Sequence, residues 1–259
     1  ALPDAGFALG DKKISNVRYA DDTTLLEFSK EKLETLAETV KDESLDFGLK
    51  INESKTNVMA MNGDGIVKLG GAEIESVDQF KYLGSMMRMH DPSSQEIKVR
   101  LATAKSVASS LNCIWRDRKL SLKLKVRVAH ALAWSVVTYG CESWTLRKTE
   151  EDAIRVFEVW LWRRILNVRW TDMRTNDWVC EQVEEEKDKL LLSIMRRKIA
   201  KYGHWRRRPN SFVNSVIDNR VPGKNRVGHR RMSWMDNVIK WCGGAAEARD
   251  MAIERRRLP

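Results

Sequence analysis

Cysteine is scarce. The 259 residues contain four, at positions 113, 141, 180 and 242, and no C-x-x-C pair occurs among them. That spacing excludes the usual zinc modules and a disulfide scaffold, and it points to a reducing compartment. A discontinuous site built from Cys180, His204, His229 and Cys242 is conceivable, but scattered buried thiols are the simpler reading. Proline (five) and glycine (fourteen) are also few, and no tandem repeat or low-complexity tract appears. This excludes a collagen-like or disordered chain and suits a compact, mostly helical one. The longest apolar stretch, around Ala131 to Val137, is too short to span a bilayer. The first residues carry no basic-then-apolar secretion signal, so the chain reads as intracellular. With 259 residues, 42% hydrophobic and 32% charged, it has material for two modest domains with real cores, or for one domain plus an extension.

The charge is uneven. Residues 1–90 carry 11 Lys/Arg against 16 Asp/Glu, whereas residues 91–259 carry 35 against 20. An acidic region beside a large basic surface is an arrangement suited to a polyanion. Taken alone it equally fits solvated helix faces.

Periodicity divides the chain at about residue 91. Lys12 to Arg18 and Thr23 to Phe28 read as short strands flanking Tyr19-Ala20-Asp21-Asp22, a hairpin with acids at its tip. A helix follows, with Leu33, Leu36, Ala37, Val40 and Phe47 near one face and Gly48 as its stop. Leu49 to Ile51 and Thr56 to Met61 suggest extended chain. The glycines at 63, 65, 70 and 71 mark a turn-rich stretch, and Phe80 to Gly84 ends a second hairpin. After His90 the pattern turns helical. Pro92 with Ser93-x-x-Glu96 opens a helix striped by Ile97, Leu101, Ala104, Ala108 and Leu111. Ser121 opens another, with Leu122, Val126, Ala129, Ala133 and Val136 inward and Gly140 ending it. Thr149-x-x-Asp152 opens a third, rich in aromatics. A helix from about Lys187 to Lys201, a loop from about Pro209 to Gly228 and a final helix near Arg231 to Cys242 complete the expectation. The fold class is α+β.

The adjacent carboxylates of Asp21 and Asp22 carry the sharpest chemical signal. Like charges side by side repel, and a divalent cation offsets the repulsion. Magnesium prefers hard oxygen ligands, and nucleotidyl transfer uses two such ions. An exposed acidic turn is the plain alternative, but the β-branched and apolar flanks (Ile14, Val17, Thr23, Leu25, Leu26) supply the strand–turn–strand context.

Val17 to Leu26 resembles the hairpin motif of reverse transcriptases from LINE-type (non-LTR) retrotransposons. Gly48-Leu49-Lys50-Ile51-Asn52-Glu53-Ser54-Lys55-Thr56 resembles the next palm motif, and Phe80-Lys81-Tyr82-Leu83-Gly84-Ser85 the primer-grip hairpin. The resemblance continues through Tyr139 to Thr145 and Phe157 to Arg164. It ends with Gly203-His204 and Arg230-Arg231-Met232-Ser233-Trp234, in family order. It implies the C-terminal part of an endonuclease–reverse transcriptase polyprotein: residues 1–90 a partial palm, 91–147 a helical thumb, and 148–259 a basic, mostly helical extension.

The same resemblance implies the roles. Asp21 would be the main metal ligand and Asp22 its companion, holding magnesium, with two ions in the complete site. Tyr19 and Ala20 would lie against the primer terminus and the sugar of the incoming nucleotide. Lys55 would protonate the leaving pyrophosphate. Phe80, Tyr82, Leu83 and Gly84 would position the primer end, although periodicity alone makes them hairpin core. RNA template and DNA primer or target are the implied partners, with action in the nucleus, translation in the cytoplasm and no membrane.

The family palm also uses an earlier aspartate, a Gly/Gln-bearing segment and fingers, all preceding the hairpin, whereas eighteen residues precede Tyr19 here. The expectation is therefore a chain inactive alone, needing the N-terminal portion of the same polyprotein.

Lys119, Lys123, Lys125 and Arg127 lie beside an apolar stripe and suit phosphate contacts. Residues 196–259 hold 17 Lys/Arg against 5 Asp/Glu. There Arg206, Arg207, Arg208, Arg230 and Arg231 interleave with Trp205 and Trp234, fit for nucleic acid. Trp234, Val238 and Trp241 at helical spacing would equally well pack inward. Two rival readings are a non-catalytic nucleic-acid-binding remnant of a retroelement and, if the acidic hairpin is accidental, an unrelated helical DNA-binding protein.

Overall fold

The structure, a computed structural model, describes residues 5–9, 12–60, 65–88, 92–208, 212–217 and 232–254. In chain order the elements are β1 (Phe7–Leu9), β2 (Lys12–Ile14), β3 (Asn16–Tyr19), β4 (Asp22–Leu25), α1 (Lys30–Asp46), β5 (Val67–Leu69), β6 (Ala72–Ile74), β7 (Gln79–Tyr82) and β8 (Ser85–Arg88). There follow α2 (Pro92–Ser110), α3 (Asn112–Arg116), α4 (Leu122–Ala129), α5 (Ser135–Thr138), α6 (Lys148–Leu166), α7 (Asn176–Val183) and α8 (Lys189–Arg206), then α9 (Phe212–Ile217), α10 (Trp234–Cys242) and α11 (Ala245–Glu254). Two compact units result, one of residues 1–92 with 210–227, the other of residues 93–209 with 228–259. The first is mixed and the second helical among the described residues, so the α+β class holds.

In the first unit the strands form antiparallel pairs, β1–β2, β3–β4, β5–β6 and β7–β8. The strand expected over Lys12 to Arg18 is split at Ser15, its first half pairing back with β1 and its second forward with β4. Gly70 and Gly71 turn β5 into β6, and Leu83 and Gly84 turn β7 into β8, all four at positive φ. That backbone matches the right-handed twist of the strands it joins. Helix α1 starts at Ser29, whose hydroxyl accepts from the Lys32 N–H at 3.3 Å. Its buried Leu36 and Ala37 pack with Val67 and Leu69 of β5. The Glu34 carboxylate accepts from the Lys68 N–H at 2.8 Å, tying helix to strand. Phe47, expected on the helix face, falls one residue past the helix and is exposed. The extended chain at Val58 makes a parallel bridge with Ser76. Phe7 stacks on Phe28 at 4.4 Å, and the short α9, inside the expected loop, packs on β1.

The second unit has one core that runs from Ile97 to Ile194, so the segments read as thumb and extension share their buried surface. Helix α6 sits centrally, with Ile154, Phe157, Leu161, Trp162 and Ile165 buried against α3, α4, α7 and α8. Between α4 and α5 the chain makes a π turn over His130–Trp134. Past it Val137 is fully buried and Val136, expected inward, packs partly against the same core.

Two expected caps are displaced. The Ser93 hydroxyl accepts from the Thr145 N–H, and Glu96 accepts from Arg100 on the next turn. Helix α6 begins at Lys148, and Glu150, not Asp152, takes the Arg147 N–H at 2.9 Å. Tertiary partners for Ser93, Ser94 and Glu150 outcompete the local pattern. Helices α3, α7 and α11 were not expected from the sequence. Cys141 and Cys180 are buried, Cys242 is half-buried and Cys113 is exposed. No helix among the described residues is long and apolar enough to cross a membrane.

Candidate functional site

The acidic motif forms the tightest point of β3–β4. Tyr19 pairs with Asp22 across the ladder, leaving Ala20 and Asp21 as the two turn residues. The Leu26 N–H donates to the Ser15 carbonyl at 2.8 Å and continues the pairing at the base. Ala20 has φ 51°, a left-handed conformation that disfavours a Cβ. A non-glycine residue held there marks a turn fixed by its surroundings. Asp21 and Asp22 are exposed, and Tyr19 is 65% exposed. The turn thus offers two carboxylates and an aromatic face to an incoming ligand.

Their donor chemistry suits a hard divalent cation that keeps part of its water shell and takes one or two carboxylates from protein. They are only part of a ligand set: no group of three or more His, Cys, Asp or Glu side chains gathers among the described residues.

Lys55 closes a 3₁₀ turn, Glu53–Lys55, with its N–H on the Asn52 carbonyl at 3.1 Å and its side chain exposed. In β7–β8, Phe80 and Tyr82 occupy the half-buried face, while Lys81 points outward. The Tyr82 hydroxyl is buried without a hydrogen-bond partner among the described residues. Leu83 has φ 46° and Gly84 φ 80°. Asp21 with Asp22, Lys55, and Leu83 with Gly84 therefore stand on three separate turns of the same unit. Both hairpins named from the sequence hold a non-glycine residue at positive φ.

The basic candidates divide. Lys119, Lys123 and Arg127 are exposed. Lys125, expected beside them, is buried, and its ammonium donates to the Trp115 carbonyl at 2.8 Å, binding α4 to α3. Arg206 donates to the Tyr202 hydroxyl at 3.0 Å, and Arg207 to the Ala252 carbonyl at 2.8 Å, fastening α8 to α11. Arg208 is exposed. Its charge, with Lys201 and Arg207, holds the His204 imidazole below its ordinary pKa. Arg230 and Arg231 lie outside the described residues.

The Trp205 and Trp234 ring centres lie 5.3 Å apart, tilted by 50°, and the Trp234 indole N–H donates to the Glu142 carbonyl at 2.8 Å. Of the two roles open to Trp234, inward packing is the one its contacts serve.

Sequence reasoning missed a buried polar network in the second unit. Lys198 is 0% exposed, and its ammonium donates to the Trp144 carbonyl at 2.6 Å and to Asn237 Oδ1 at 2.9 Å. The ring centres of Trp234 and Trp241 lie 4.6 and 5.3 Å away. Asn237 also accepts from the Leu146 N–H at 2.8 Å and donates to the Leu146 carbonyl at 2.7 Å. Burial brings the Lys198 ammonium down to about 7, against a weaker opposing pull from Asp236. On α6, burial raises the Glu158 carboxyl to about 7, although it accepts the Leu190 N–H at 3.1 Å. Burial likewise pushes the Cys141 thiol up to about 12, which makes it a packing group and not a nucleophile. In the sequence Lys198 is one more cation in a basic run, with no local sign that it is enclosed.

Residues 5–87 match the family model described as reverse transcriptase (RNA-dependent DNA polymerase). A Caenorhabditis elegans protein described as uncharacterized and transposon-derived is 25% identical over 241 residues, which covers 88% of this chain and 85% of the worm protein. No solved structure matches the chain. The likeness to reverse transcriptase thus falls on the hairpin unit, and the likeness to a transposon-derived protein extends through the helical one.

Proposed function

We propose that the chain is the C-terminal part of an RNA-directed DNA polymerase from a LINE-type (non-LTR) retrotransposon, acting in target-primed reverse transcription. The observation that carries this reading is the acidic β3–β4 turn inside the segment that matches reverse transcriptases. On this reading residues 1–90 are palm, 91–147 thumb and 148–259 a nucleic-acid-binding extension.

Asp21 and Asp22 would hold magnesium, which when bound activates a 3′ hydroxyl and stabilises the departing pyrophosphate. Tyr19 and the strained Ala20 would border the primer terminus and the nucleotide sugar. Lys55 would give a proton to the pyrophosphate oxygen. Phe80, Tyr82, Leu83 and Gly84 would seat the primer end. Lys119, Lys123 and Arg127 would contact backbone phosphate, with Lys125 held inside to fix their helix. Arg206, Arg207, Arg208, Arg230 and Arg231 would add to the basic surface, the first two while also holding the helix end in place.

Two carboxylates hold two metal ions poorly, so the isolated chain is expected to bind an RNA–DNA hybrid without extending it. Hybrid binding and primer extension on an RNA template test this, with the double substitution Asp21→Asn and Asp22→Asn. The expected result is binding with a magnesium-dependent part that the double variant loses, and no incorporation. Template-dependent incorporation overturns the inactivity. Absence of hybrid binding overturns the polymerase reading. The rival reading is a non-catalytic nucleic-acid-binding remnant of a retroelement. It predicts that the double variant binds as well as or better than the parent, with no magnesium-dependent part.

A further inference from the structure

Between α6 and α7 the chain makes a short connection containing a 3₁₀ turn, Trp170–Asp172. Trp170 and Met173 are each 84% exposed, the largest exposures among the big hydrophobic side chains of the described residues. With Arg163, Arg174 and Thr175 they line a shallow cleft of about 360 Å³. The connection is fastened from below. Arg163 donates to the Arg174 carbonyl at 2.6 Å and to Asn176 Oδ1 at 3.1 Å. The Asp172 carboxylate accepts the Arg169 N–H at 2.8 Å, and the Arg174 guanidinium lies 4.8 Å over the Trp178 ring. An indole is thus presented to solvent on a pinned turn, beside two guanidinium groups and with no carboxylate lining the cleft.

We infer that this cleft binds an unpaired nucleotide of a single-stranded nucleic acid. The base stacks on Trp170 and Met173, and the adjoining phosphate meets Arg174 and Arg163. Stacking on an exposed aromatic face beside cations is how single strands are held without base readout. The occupant is assigned by charge: two arginines and no acid line the cleft in a chain of net charge +10. Along a duplex the bases are paired and stacked, so only the two end pairs present a face to Trp170. The site extends the polymerase reading by adding a grip for unpaired template or displaced strand, but it stands on this connection alone.

The test is fluorescence anisotropy with the full chain and labelled oligo(U), oligo(dT) and a blunt RNA–DNA hybrid. Oligonucleotides of about twelve residues suffice for one such site. Trp170→Ala is expected to weaken both single strands by about tenfold, with Trp170→Phe restoring most of the loss and hybrid affinity unchanged. Arg174→Gln should lower the salt dependence on single strands by about 0.7 in log–log slope. A preference for oligo(U) assigns the site to RNA, one for oligo(dT) to DNA, and equal affinity to the shared chemistry; each supports the inference. Wild-type affinity of Trp170→Ala for single strands overturns it, as does an equal loss on hybrid. A change in sedimentation alone overturns it in favour of a protein contact. If the parent ignores hybrid yet holds single strands through Trp170, the cleft stands and the polymerase reading falls.

Discussion

Replacing Lys198 by methionine removes a buried charge while keeping an unbranched chain of similar length. The folded protein holds the amine at a pKa of about 7, against 10.5 in open chain, because burial disfavours the ammonium. The folded-state pKa is depressed, so this group's contribution is fully present above 10.5 and is lost as pH falls through 7. Between those limits the unfolded chain binds one more proton than the folded one. Stability should therefore rise by about 1.4 kcal/mol per pH unit. From pH 7, where the folded amine is half protonated, to pH 9 that amounts to about 2 kcal/mol.

Lys198→Met lacks this slope. It also leaves the Trp144 carbonyl without its donor at 2.6 Å, a loss of roughly 1–3 kcal/mol at any pH. Asn237 Oδ1 keeps the Leu146 N–H. Urea unfolding of both proteins at pH 7, 8 and 9 isolates Lys198, because every other titrating group cancels in the difference. The advantage of wild type over the variant should grow by about 2 kcal/mol across that range. Parallel pH profiles would refute the reasoning and mean that the amine stays charged inside.

The mirror case is Glu158, 2% exposed and raised by burial to about 7. Its contribution is full below 4.5 and lost as pH rises through 7. Glu158→Gln, which keeps an acceptor for the Leu190 N–H, should thus gain about 3 kcal/mol on wild type between pH 4.5 and 7. Thermal unfolding at pH 5 and pH 8 checks this, and an unchanged gap in midpoint would contradict it. Asn237→Ala strips three hydrogen bonds from a fully buried site and orphans both polar groups of Leu146. A cost of about 3–5 kcal/mol by urea unfolding is expected, and non-additive with Lys198→Met because the two residues share a bond. A loss under about 1 kcal/mol would show that the network carries little.

The acidic turn was legible because its signal is local. Two acids between short β-branched strands leave a hairpin as the natural solution, and the structure puts Ala20 and Asp21 at its tip. Helix α1 was legible for the same reason: Ser29 starts it and the chain leaves it before Gly48. Phe80 to Gly84, expected to end a second hairpin, instead form its first strand and turn, because β7 pairs forward with β8. The caps of α2 and α6 were misread because Ser-x-x-Glu and Thr-x-x-Asp patterns compete with distant partners. Ser94 and Glu150, 56 residues apart, prefer each other. Helix α7 was missed although Thr175 caps it with its hydroxyl on the Trp178 N–H.

By itself, then, the sequence determined the mixed-then-helical plan, the acidic turn and the basic surplus. These depend on residue identity over a few positions and on charge, which no packing alters. Only the tertiary structure decided which cations reach solvent. Lys123, Lys125 and Arg127 lie within five residues, yet Lys125 turns inward to the Trp115 carbonyl. Lys198 is enclosed by Trp144 and by Trp234, Asn237 and Trp241 of α10, two segments distant from it and from each other. Trp162 is fully buried while Trp170, eight residues on, stands in solvent. Burial depends on what the rest of the chain brings to a side chain, and that is a property of the packed unit, not of the local sequence.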